Sequence, residues 1–155
     1  GDWEADTIIG TNHRGAVVSL VERKTGYAKL IRVPSKEAAG VTQAIKKALR
    51  PFKEMVLTIT FDNGKEFAGH EKIAKVLKAD CYFADPYSSW QRGSNENLNG
   101  LVRQYFPKKS TDFTQVTDAE IAEVERKLNN RPRKRLGWKT PAQVFSGKSL
   151  NLLTY

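Results

Sequence analysis

Hydrophobic and polar residues alternate along the first third of the chain in a pattern that is typical of β-strands. The pattern predicts strands over residues 3–10, 16–21 and 27–33. Turn signals that end at Gly15 and Gly26 separate these strands. Because both connections are short, we expect the three strands to pair as an antiparallel meander.

From residue 35 onward, apolar residues recur every three or four positions, which is typical of amphipathic helices. A helix is predicted over residues 35–49, with Ser35 as its N-cap. A buried strand over residues 56–61, a helix over residues 65–78 and a short strand over residues 81–83 follow. Three strands followed by alternating helices and strands predict an α/β domain with a mixed sheet.

A further helix, over residues 95–106, has a clear apolar stripe. The stripe consists of Leu98, Leu101, Val102 and Tyr105. At about 100° per residue, Glu96 and Arg103 fall nearly in line with each other and opposite that stripe. Glu96 is therefore expected to point away from the core-facing side of its helix.

The last third of the chain is predicted to complete the same domain. Thr117 and Glu120 match a capping box and begin a helix that ends near residue 130. Residues 133–155 mix charges with apolar side chains, so we expect this tail to pack on the rest of the chain. We find no linker composition and predict one domain over residues 1–155.

Positive charge exceeds negative charge and is concentrated near the end of the chain. Lys and Arg number 26 against 17 Asp and Glu, a formal net charge of +9. Seven Lys or Arg and no acid lie between Arg126 and Lys139. Such a surplus favours a polyanionic partner, through neutralisation of phosphates and release of counterions. The alternative is an ordinary solvated basic face.

The cysteine content and the apolar runs favour a reducing cytoplasm. The single cysteine, Cys81, cannot form an internal disulfide, and no Cys/His cluster has zinc-ligand spacing. No apolar run approaches the roughly 20 residues that span a bilayer. Because the chain enters a strand pattern at once and lacks an initiator Met, we expect it to be part of a longer protein.

Three acidic residues lie at positions where an unpaired charge is unfavourable or where structural elements end. Asp6 lies within an apolar strand, Asp62 follows the strand at residues 56–61, and Glu96 lies in the first turn of a helix. Each has an ordinary structural explanation. Asp62 fits an Asp-Asn-Gly turn, Glu96 fits the helix dipole, and Asp6 fits an ion pair with a basic side chain.

If the three carboxylates converge, they predict a site for a hard divalent cation. Like charges at short range raise each other's proton affinity, and a divalent ion reverses that balance. Oxygen ligands without Cys or His select Mg²⁺ or Mn²⁺. Two such ions, about 3.5–4 Å apart, activate a water or sugar hydroxyl and stabilise the leaving oxygen of a phosphoryl displacement.

Three blocks of sequence surround these acids: Trp3-Glu4-Ala5-Asp6, Asp62-Asn63-Gly64-Lys65-Glu66-Phe67 and Pro86-Tyr87-Ser88-Ser89-Trp90-Gln91-Arg92-Gly93-Ser94-Asn95-Glu96-Asn97. They closely resemble the acidic blocks of bacterial insertion-sequence transposases of the IS-thirty group. These belong to the DDE transposases, whose catalytic core resembles ribonuclease H and retroviral integrase. The interval of 33 residues between Asp62 and Glu96 fits that group, and residues 99–108 and 128–141 are similar to it as well.

The resemblance implies a ribonuclease H-like fold with a five-stranded mixed sheet and helices on both faces. Its first strand lies beside and parallel to the fourth, which places Asp6 next to Asp62 with Glu96 facing both. The implied activity is metal-dependent hydrolysis at the ends of a mobile element, followed by transfer of the 3′-hydroxyl into target DNA. It also implies DNA as partner and a homodimer or larger synaptic assembly. The DNA-recognising N-terminal region of such proteins is absent from this sequence.

Competing residues remain open for two of the three acids. Strand alternation places Asp2 and Glu4 on the same face as Asp6, so periodicity does not choose among them, and only the resemblance favours Asp6. Glu66 competes with Glu96, but it lies four positions after Asp62. We therefore expect Glu66 to cap a helix or to face solvent.

Basic side chains in three places are predicted to contact DNA phosphates, which position DNA without reading its sequence. Arg103 is the first choice because it shares a helix face with Glu96. Trp90 and Trp138 are candidates for base stacking, although a core or loop anchor is the commoner role of Trp. The remaining predicted contacts are Arg92, Lys108, Lys109, Arg131, Arg133, Lys134 and Arg135.

Two other functions fit parts of the pattern. A ribonuclease H-like nuclease would hydrolyse DNA or RNA without joining strands, and a strand-joining assay with a pre-cut end separates it from a transposase. A basic DNA-binding or assembly module would have purely structural acids. Such a module would bind no divalent metal and would keep its function after the acids are replaced.

Overall fold

The computed structural model describes residues 1–153, and within them the chain forms five β-strands and five α-helices. All five predicted strands are present. The strands form one sheet in the order β3-β2-β1-β4-β5. They are β1 (Asp2–Ile9), β2 (Ala16–Glu22), β3 (Ala28–Val33), β4 (Thr58–Phe61) and β5 (Asp80–Phe83).

The helices follow the predicted order, with short 3₁₀ turns between them. The last helix lies in the tail that the sequence predicted only to pack. The helices are α1 (Ala38–Leu49), α2 (His70–Leu77), α3 (Gly93–Tyr105), α4 (Asp118–Asn129) and α5 (Pro141–Leu153). The capping box is confirmed, since Thr117 accepts a hydrogen bond from the Glu120 amide and Glu120 bonds back to the Thr117 amide.

Two helix starts differ from the prediction. The N-cap of α1 is Glu37, with extended backbone and no side-chain cap, so Ser35 does not cap this helix. The predicted helix over residues 65–78 is divided into a 3₁₀ turn at Lys65–Phe67 and α2. A Cβ at Gly69, between the two, would lie 2.0 Å from the Thr42 hydroxyl of α1. The predicted helix is therefore interrupted at the point where the backbone packs closely against α1.

The mixed sheet is centred on β1, which pairs antiparallel with β2 and parallel with β4. In the parallel pair, Glu4 lies opposite Thr60. Continuing this register by two residues brings Asp6 of β1 opposite Asp62, which directly follows β4. Both lie on the same face as Glu4 and Thr60, because side chains two positions apart share a face of a strand. The predicted antiparallel meander and the predicted neighbourhood of the first and fourth strands are both confirmed.

Two hydrophobic clusters cover the two faces of the sheet. One face packs against α1 and α2, with Ile45, Leu49 and Ile73 fully buried. The other packs against α3 and α4, with Leu98 and Val102 buried on α3. Helices on both faces explain why strand β2 is buried along its whole length.

Phe145 packs the C-terminal tail onto the core, as the sequence predicted, whereas Trp138 of the same tail is exposed. Phe145 of α5 is 5% exposed and stacks on Tyr27 with ring centroids 4.2 Å apart. It also makes edge contacts with Trp3 and Phe52. Within residues 1–153, no helix has the length and apolar character needed to cross a membrane.

Candidate metal-binding active site

Asp6 and Asp62 lie close enough to share one cation, the guanidinium of Arg92. Its Nη2 lies 2.6 Å from Asp6 Oδ2, and its Nη1 lies 3.6 Å from Asp62 Oδ2. The Arg92 side chain is 15% exposed. The predicted DNA contact at Arg92 is therefore placed between the two aspartates in this conformation.

Hydrogen bonds from two elements fix the orientation of the Asp6 carboxylate. One oxygen accepts from the Thr7 amide at 2.9 Å, and the other accepts from Asn99 Nδ2 at 2.9 Å. The Oδ1 of Asn99 in turn accepts from Ser19 of β2 at 2.8 Å. The same Ser19 hydroxyl accepts from Asn95 Nδ2 at 3.1 Å. This polar network attaches α3 to the sheet at the position of Asp6.

The pKa of Asp6 is raised above its ordinary value of 3.8. Burial is the main cause, and the nearby Asp62 carboxylate adds to it. The Arg92 guanidinium and the bonds from Thr7 and Asn99 act in the opposite direction without cancelling the effect. The net shift indicates a carboxylate with insufficient local positive charge, which is the condition that a divalent cation relieves.

Asp62 lies at the end of β4 in the tight turn predicted for Asp-Asn-Gly. Its Oδ1 accepts from the Gly64 amide at 2.7 Å, and its side chain is 35% exposed. A Cβ at Gly64 would lie 2.1 Å from Glu66 Oε2 and 2.7 Å from Asp62 Oδ1. The glycine therefore permits two carboxylates to approach the same turn.

Glu96 lies in the first turn of α3 and is exposed, as the helical count predicted. It lines the same open cavity of about 250 Å³ as Asp62 and Arg92, together with Asp85 and Tyr87. We call this space the acid cavity. Among residues 1–153, however, no three acidic, His or Cys side chains are gathered as ready metal ligands. The structure thus brings Asp6 and Asp62 to one guanidinium and places Glu96 with Asp62 on the acid cavity, without closing a triad.

The three competing acids have structural partners. Asp2 is exposed and accepts from the Thr58 hydroxyl at 2.8 Å. Glu4 is 1% exposed, pairs with Arg23 at 3.1 Å and accepts from the Asn95 amide at 3.3 Å.

Glu66 does not face solvent, so that part of the prediction is wrong. It is 3% exposed, and its Oε1 lies 3.1 Å from Lys36 Nζ and 3.1 Å from the Thr7 hydroxyl. The phenyl ring of the adjacent Phe67 is fully buried in the core, which carries the 3₁₀ turn and Glu66 inward with it.

Comparison with known proteins shows what the chain is similar to over most of its length. The chain is 52% identical over 145 residues to the transposase of insertion sequence element IS4351 from Bacteroides fragilis, covering 94% of this chain and 44% of the relative. It is 43% identical over 146 residues to the transposase InsI of IS30A from Escherichia coli strain K12, covering 94% and 38%. The resemblance to insertion-sequence transposases is confirmed. The chain thus spans less than half the length of these transposases.

The fold is also found in solved structures of viral integrases. The catalytic core domain of BIV integrase matches with a TM-score of 0.70 and 22% identity, covering 98% of this chain and 97% of that one. A chain in a simian T-cell lymphotropic virus intasome matches with a TM-score of 0.74 and 17% identity, covering 92% and 52%. The predicted ribonuclease H-like, integrase-core fold is confirmed. No family model matches the chain.

Six of the eight basic residues predicted to contact DNA line two grooves, and the other two, Arg92 and Arg131, do not. The first, the Arg103 groove, is an open space of about 840 Å³ that includes Thr7, Asn99, Arg103, Lys108 and Lys109. Lys108 and Lys109 are exposed. Arg103 instead donates to the Ile9 carbonyl at 2.8 Å and to the Phe106 carbonyl at 3.4 Å, so its guanidinium holds the end of α3 to the end of β1.

The second space, the Arg133 groove, is about 530 Å³ and includes Arg133, Lys134 and Arg135. Arg131 lies nearby in sequence but donates to the Tyr105 hydroxyl at 2.9 Å. The two tryptophans proposed for base stacking are exposed, Trp90 at 76% and Trp138 at 67%, so neither is a core anchor.

Sequence reasoning did not single out the residues that orient Asp6. Asn99 and Ser19 are distant in sequence from Asp6, and nothing in their local pattern indicates a role. A signal was nevertheless present on α3, where Asn95 and Asn99 are one turn apart and flank the apolar stripe. Polar residues beside a buried stripe bond to whatever lies under the helix, since buried polar groups are rarely left unpaired.

Proposed function

We propose that this chain is the catalytic region of a DNA transposase. It hydrolyses a phosphodiester bond at the end of a mobile element and then directs the freed 3′-hydroxyl to attack target DNA. The similarity to whole transposases over nearly all of this chain supports the reaction class. The observation that carries the proposal for the site is the sharing of one guanidinium by Asp6 and Asp62 beside Glu96.

We infer that Asp6, Asp62 and Glu96 hold Mg²⁺ or Mn²⁺, with two ions as the working number. The donor set fits, because it offers only carboxylate oxygens and two of them already bind a shared positive charge. When bound, such ions polarise the scissile phosphate and lower the pKa of an attacking water or hydroxyl.

The remaining steps belong to side chains of this chain. Asn99 and the Thr7 amide hold the Asp6 carboxylate in one orientation. Arg92 offsets one of the two negative charges of the aspartate pair before substrate arrives, and a DNA phosphate offers this guanidinium another anionic partner. The exposed Lys108 and Lys109 bind the DNA backbone next to the site and fix its register.

DNA is therefore the proposed partner, both as element end and as target. A homodimer or larger synaptic assembly is proposed because two ends must be joined in one event. The cytoplasm, where bacterial DNA lies, is the proposed compartment.

Isothermal titration of Mn²⁺ and Mg²⁺ tests the metal site independently of activity. We expect saturable binding to the parent chain and loss of binding in Asp62→Asn and Glu96→Gln. Asp85→Asn is the matched control, because Asp85 is an exposed carboxylate on the same cavity that bonds instead to Gln91. Binding that persists in both Asp62→Asn and Glu96→Gln would show that the acids are structural.

A strand-joining assay tests the reaction itself. Given a pre-cut DNA end with a free 3′-hydroxyl, a transposase inserts that end into a plasmid in the presence of Mn²⁺. Cleavage of an uncut end without joining of a pre-cut one would identify a nuclease that only hydrolyses.

A further inference from the structure

The Arg133 groove has an unusually one-sided charge. Its four cationic side chains are Arg23, Arg133, Lys134 and Arg135, and none of the residues that line it is acidic. Arg23 has a carboxylate partner, Glu4, and is still 41% exposed. Within the described residues, Arg133, Lys134 and Arg135 form no ion pair.

Arg133 and Arg135 are held in place by hydrogen bonds to backbone carbonyls. Arg133 donates to the Leu128 carbonyl at 3.2 Å, and Arg135 donates to the Lys24 carbonyl at 3.0 Å. A Cβ at Gly26 would lie 2.8 Å from Arg135 Nη2, and the backbone there has φ +72°, so glycine allows the guanidinium to lie against the turn. Pre-positioned donors lose less conformational entropy when they bind an anion.

Proximity of like charges makes the unliganded groove unfavourable. The pKa of Arg133 is lowered, first by burial and then by the charges of Arg131 and Arg135. A cleft lined by charges of one sign concentrates ions of the opposite sign, and a bound anion offsets the repulsion among the cations. Arginine forks match the geometry of phosphate oxygens and can bind them with two hydrogen bonds.

The groove and the acid cavity lie on different parts of the surface of α3. The residues of α3 that line the groove include Gly93, Asn97 and Leu101, whereas Glu96 lines the acid cavity. At about 100° per residue, the three groove residues lie about 60°, 100° and 140° around the helix from Glu96. The Arg103 groove, by contrast, includes Asn99, the partner of Asp6.

We infer that the Arg133 groove is a second binding site for a DNA backbone, separate from the DNA held at the acid cavity. The inference rests on the proposed function, because a strand-transfer enzyme must hold two DNA segments at once. The Arg103 groove adjoins the acids and holds the segment that reacts. The Arg133 groove holds the phosphates of the other segment through Lys134 and the two anchored arginines, with Val21, Leu98 and Leu101 as an apolar floor.

The test measures binding of a fluorescent duplex by anisotropy across a range of salt concentrations. In Lys134→Gln/Arg135→Gln we expect about tenfold weaker binding, and a salt slope smaller by about 0.9 for each phosphate that the protein no longer neutralises. The matched control is Arg126→Gln/Lys127→Gln, which removes the same charge from α4, where Arg126 already pairs with Glu123. Equal reductions in affinity in both double variants would refute a specific groove.

Stoichiometry distinguishes a second site from an extension of the first. At protein concentrations above Kd, the parent chain is expected to bind two short duplexes, and Lys134→Gln/Arg135→Gln one. One duplex bound by both proteins would overturn the inference. Because Arg135 also anchors a turn, the single variant Lys134→Glu is measured too, and it must show the same reduction from two duplexes to one.

Metal binding separates a loss of the second DNA site from a loss of the proposed catalytic site. Mn²⁺ titration of Lys134→Gln/Arg135→Gln is expected to match the parent, since the groove and the acid cavity share no residue. Inorganic phosphate and a single strand serve as competing probes. Displacement of the duplex by phosphate at equal concentration would identify a small-anion site and overturn the DNA assignment.

Discussion

Four acidic side chains on β1 or just after β4 differ in how their charge is balanced. Glu4 and Glu66 are 1% and 3% exposed, and each has its own cation and a hydrogen-bond donor. The side chains of Asp6 and Asp62 are 18% and 35% exposed, and the two share one guanidinium.

The difference separates acids that are satisfied within the fold from acids that are not. A buried carboxylate with its own cation and hydrogen-bond donors recovers the free energy lost on desolvation. Asp6 and Asp62 share a single cation, so together they can still bind a further positive charge. Glu4 and Asp6 both lie in the same apolar strand, so position in such a strand does not distinguish an acid satisfied within the fold from one that can bind a further cation.

The largest effect on stability is expected from removal of a structural acid. Glu4→Ala leaves the Asn95 amide without its acceptor and Arg23 without its partner, at a cost of about 2 kcal/mol, because Arg23 is partly exposed and regains water. Urea unfolding measures the change. Asp2→Ala, on the same strand face, is expected to change stability by less than about 0.5 kcal/mol. Loss of Mn²⁺ binding in folded Glu4→Ala would contradict the assignment of Glu4 as structural.

The shared guanidinium is expected to oppose metal binding. Arg92→Ala leaves Asp6 and Asp62 without their common cation, so Mn²⁺ should bind about tenfold more tightly, a difference of roughly 1.4 kcal/mol. Calorimetric titration measures the affinity. Arg23→Ala removes a cation from a structural acid and is expected to leave Mn²⁺ affinity unchanged. Weaker metal binding in Arg92→Ala would mean that Arg92 supports the site rather than competing for it.

A smaller loss of stability is expected at Glu66. Thr7→Val removes the hydroxyl that donates to Glu66 Oε1 and leaves Lys36 as the remaining partner, at a cost of about 1 kcal/mol. Thr58→Val, which removes a similar bond to the exposed Asp2, is the control and should cost less. Chemical denaturation measures the loss of stability in each variant. A larger loss in Thr58→Val than in Thr7→Val would contradict the assignment of Glu66 as a structural acid.

The smallest effect is expected at Asp6 and has the opposite sign. Because its pKa is raised in the folded state, the folded chain binds this proton more tightly than the unfolded chain. Ionisation of Asp6 therefore reduces stability as pH rises from about 3.8 through the folded-state pKa, and the reduction persists above it. Asp6→Asn has no such loss.

Thermal unfolding across a pH series tests this sign. Asp6→Asn is expected to gain stability relative to the parent as pH rises toward 7, and the two proteins should be closest in stability at low pH. A variant that loses stability relative to the parent with rising pH would show that Arg92 and Asn99 fully satisfy the Asp6 carboxylate.

Much of the fold was predictable because its determinants are local. Apolar alternation located β1, β2 and β3, and helical spacing located the buried stripe of α3. The errors arose where a contact distant in sequence decided the outcome. Gly69 interrupts a predicted helix where it meets Thr42 of α1, and Glu66 is buried because the adjacent Phe67 enters the core.

The stretch around Asp62 and Glu96 shows how far the site could be predicted. The helical count turned Glu96 outward, and the structure places it on the acid cavity. The same count grouped Arg103 with Glu96, yet the Arg103 guanidinium bonds to the Ile9 and Phe106 carbonyls. Helix geometry gives the direction in which a side chain leaves the helix, but it does not show which hydrogen-bond acceptors lie within reach of that side chain.

The order of strands and helices, the surplus of positive charge and the resemblance to insertion-sequence transposases could be obtained from the amino-acid sequence, because they depend on residue type and spacing along the chain. Periodicity could not show which acid of β1 lies next to Asp62, since Asp2, Glu4 and Asp6 share one strand face. Packing also brings Arg92 between the aspartates and places six of the eight predicted DNA contacts in two grooves. Charge balance depends on distances through space, and those distances exist only once β1, β4 and α3 have packed.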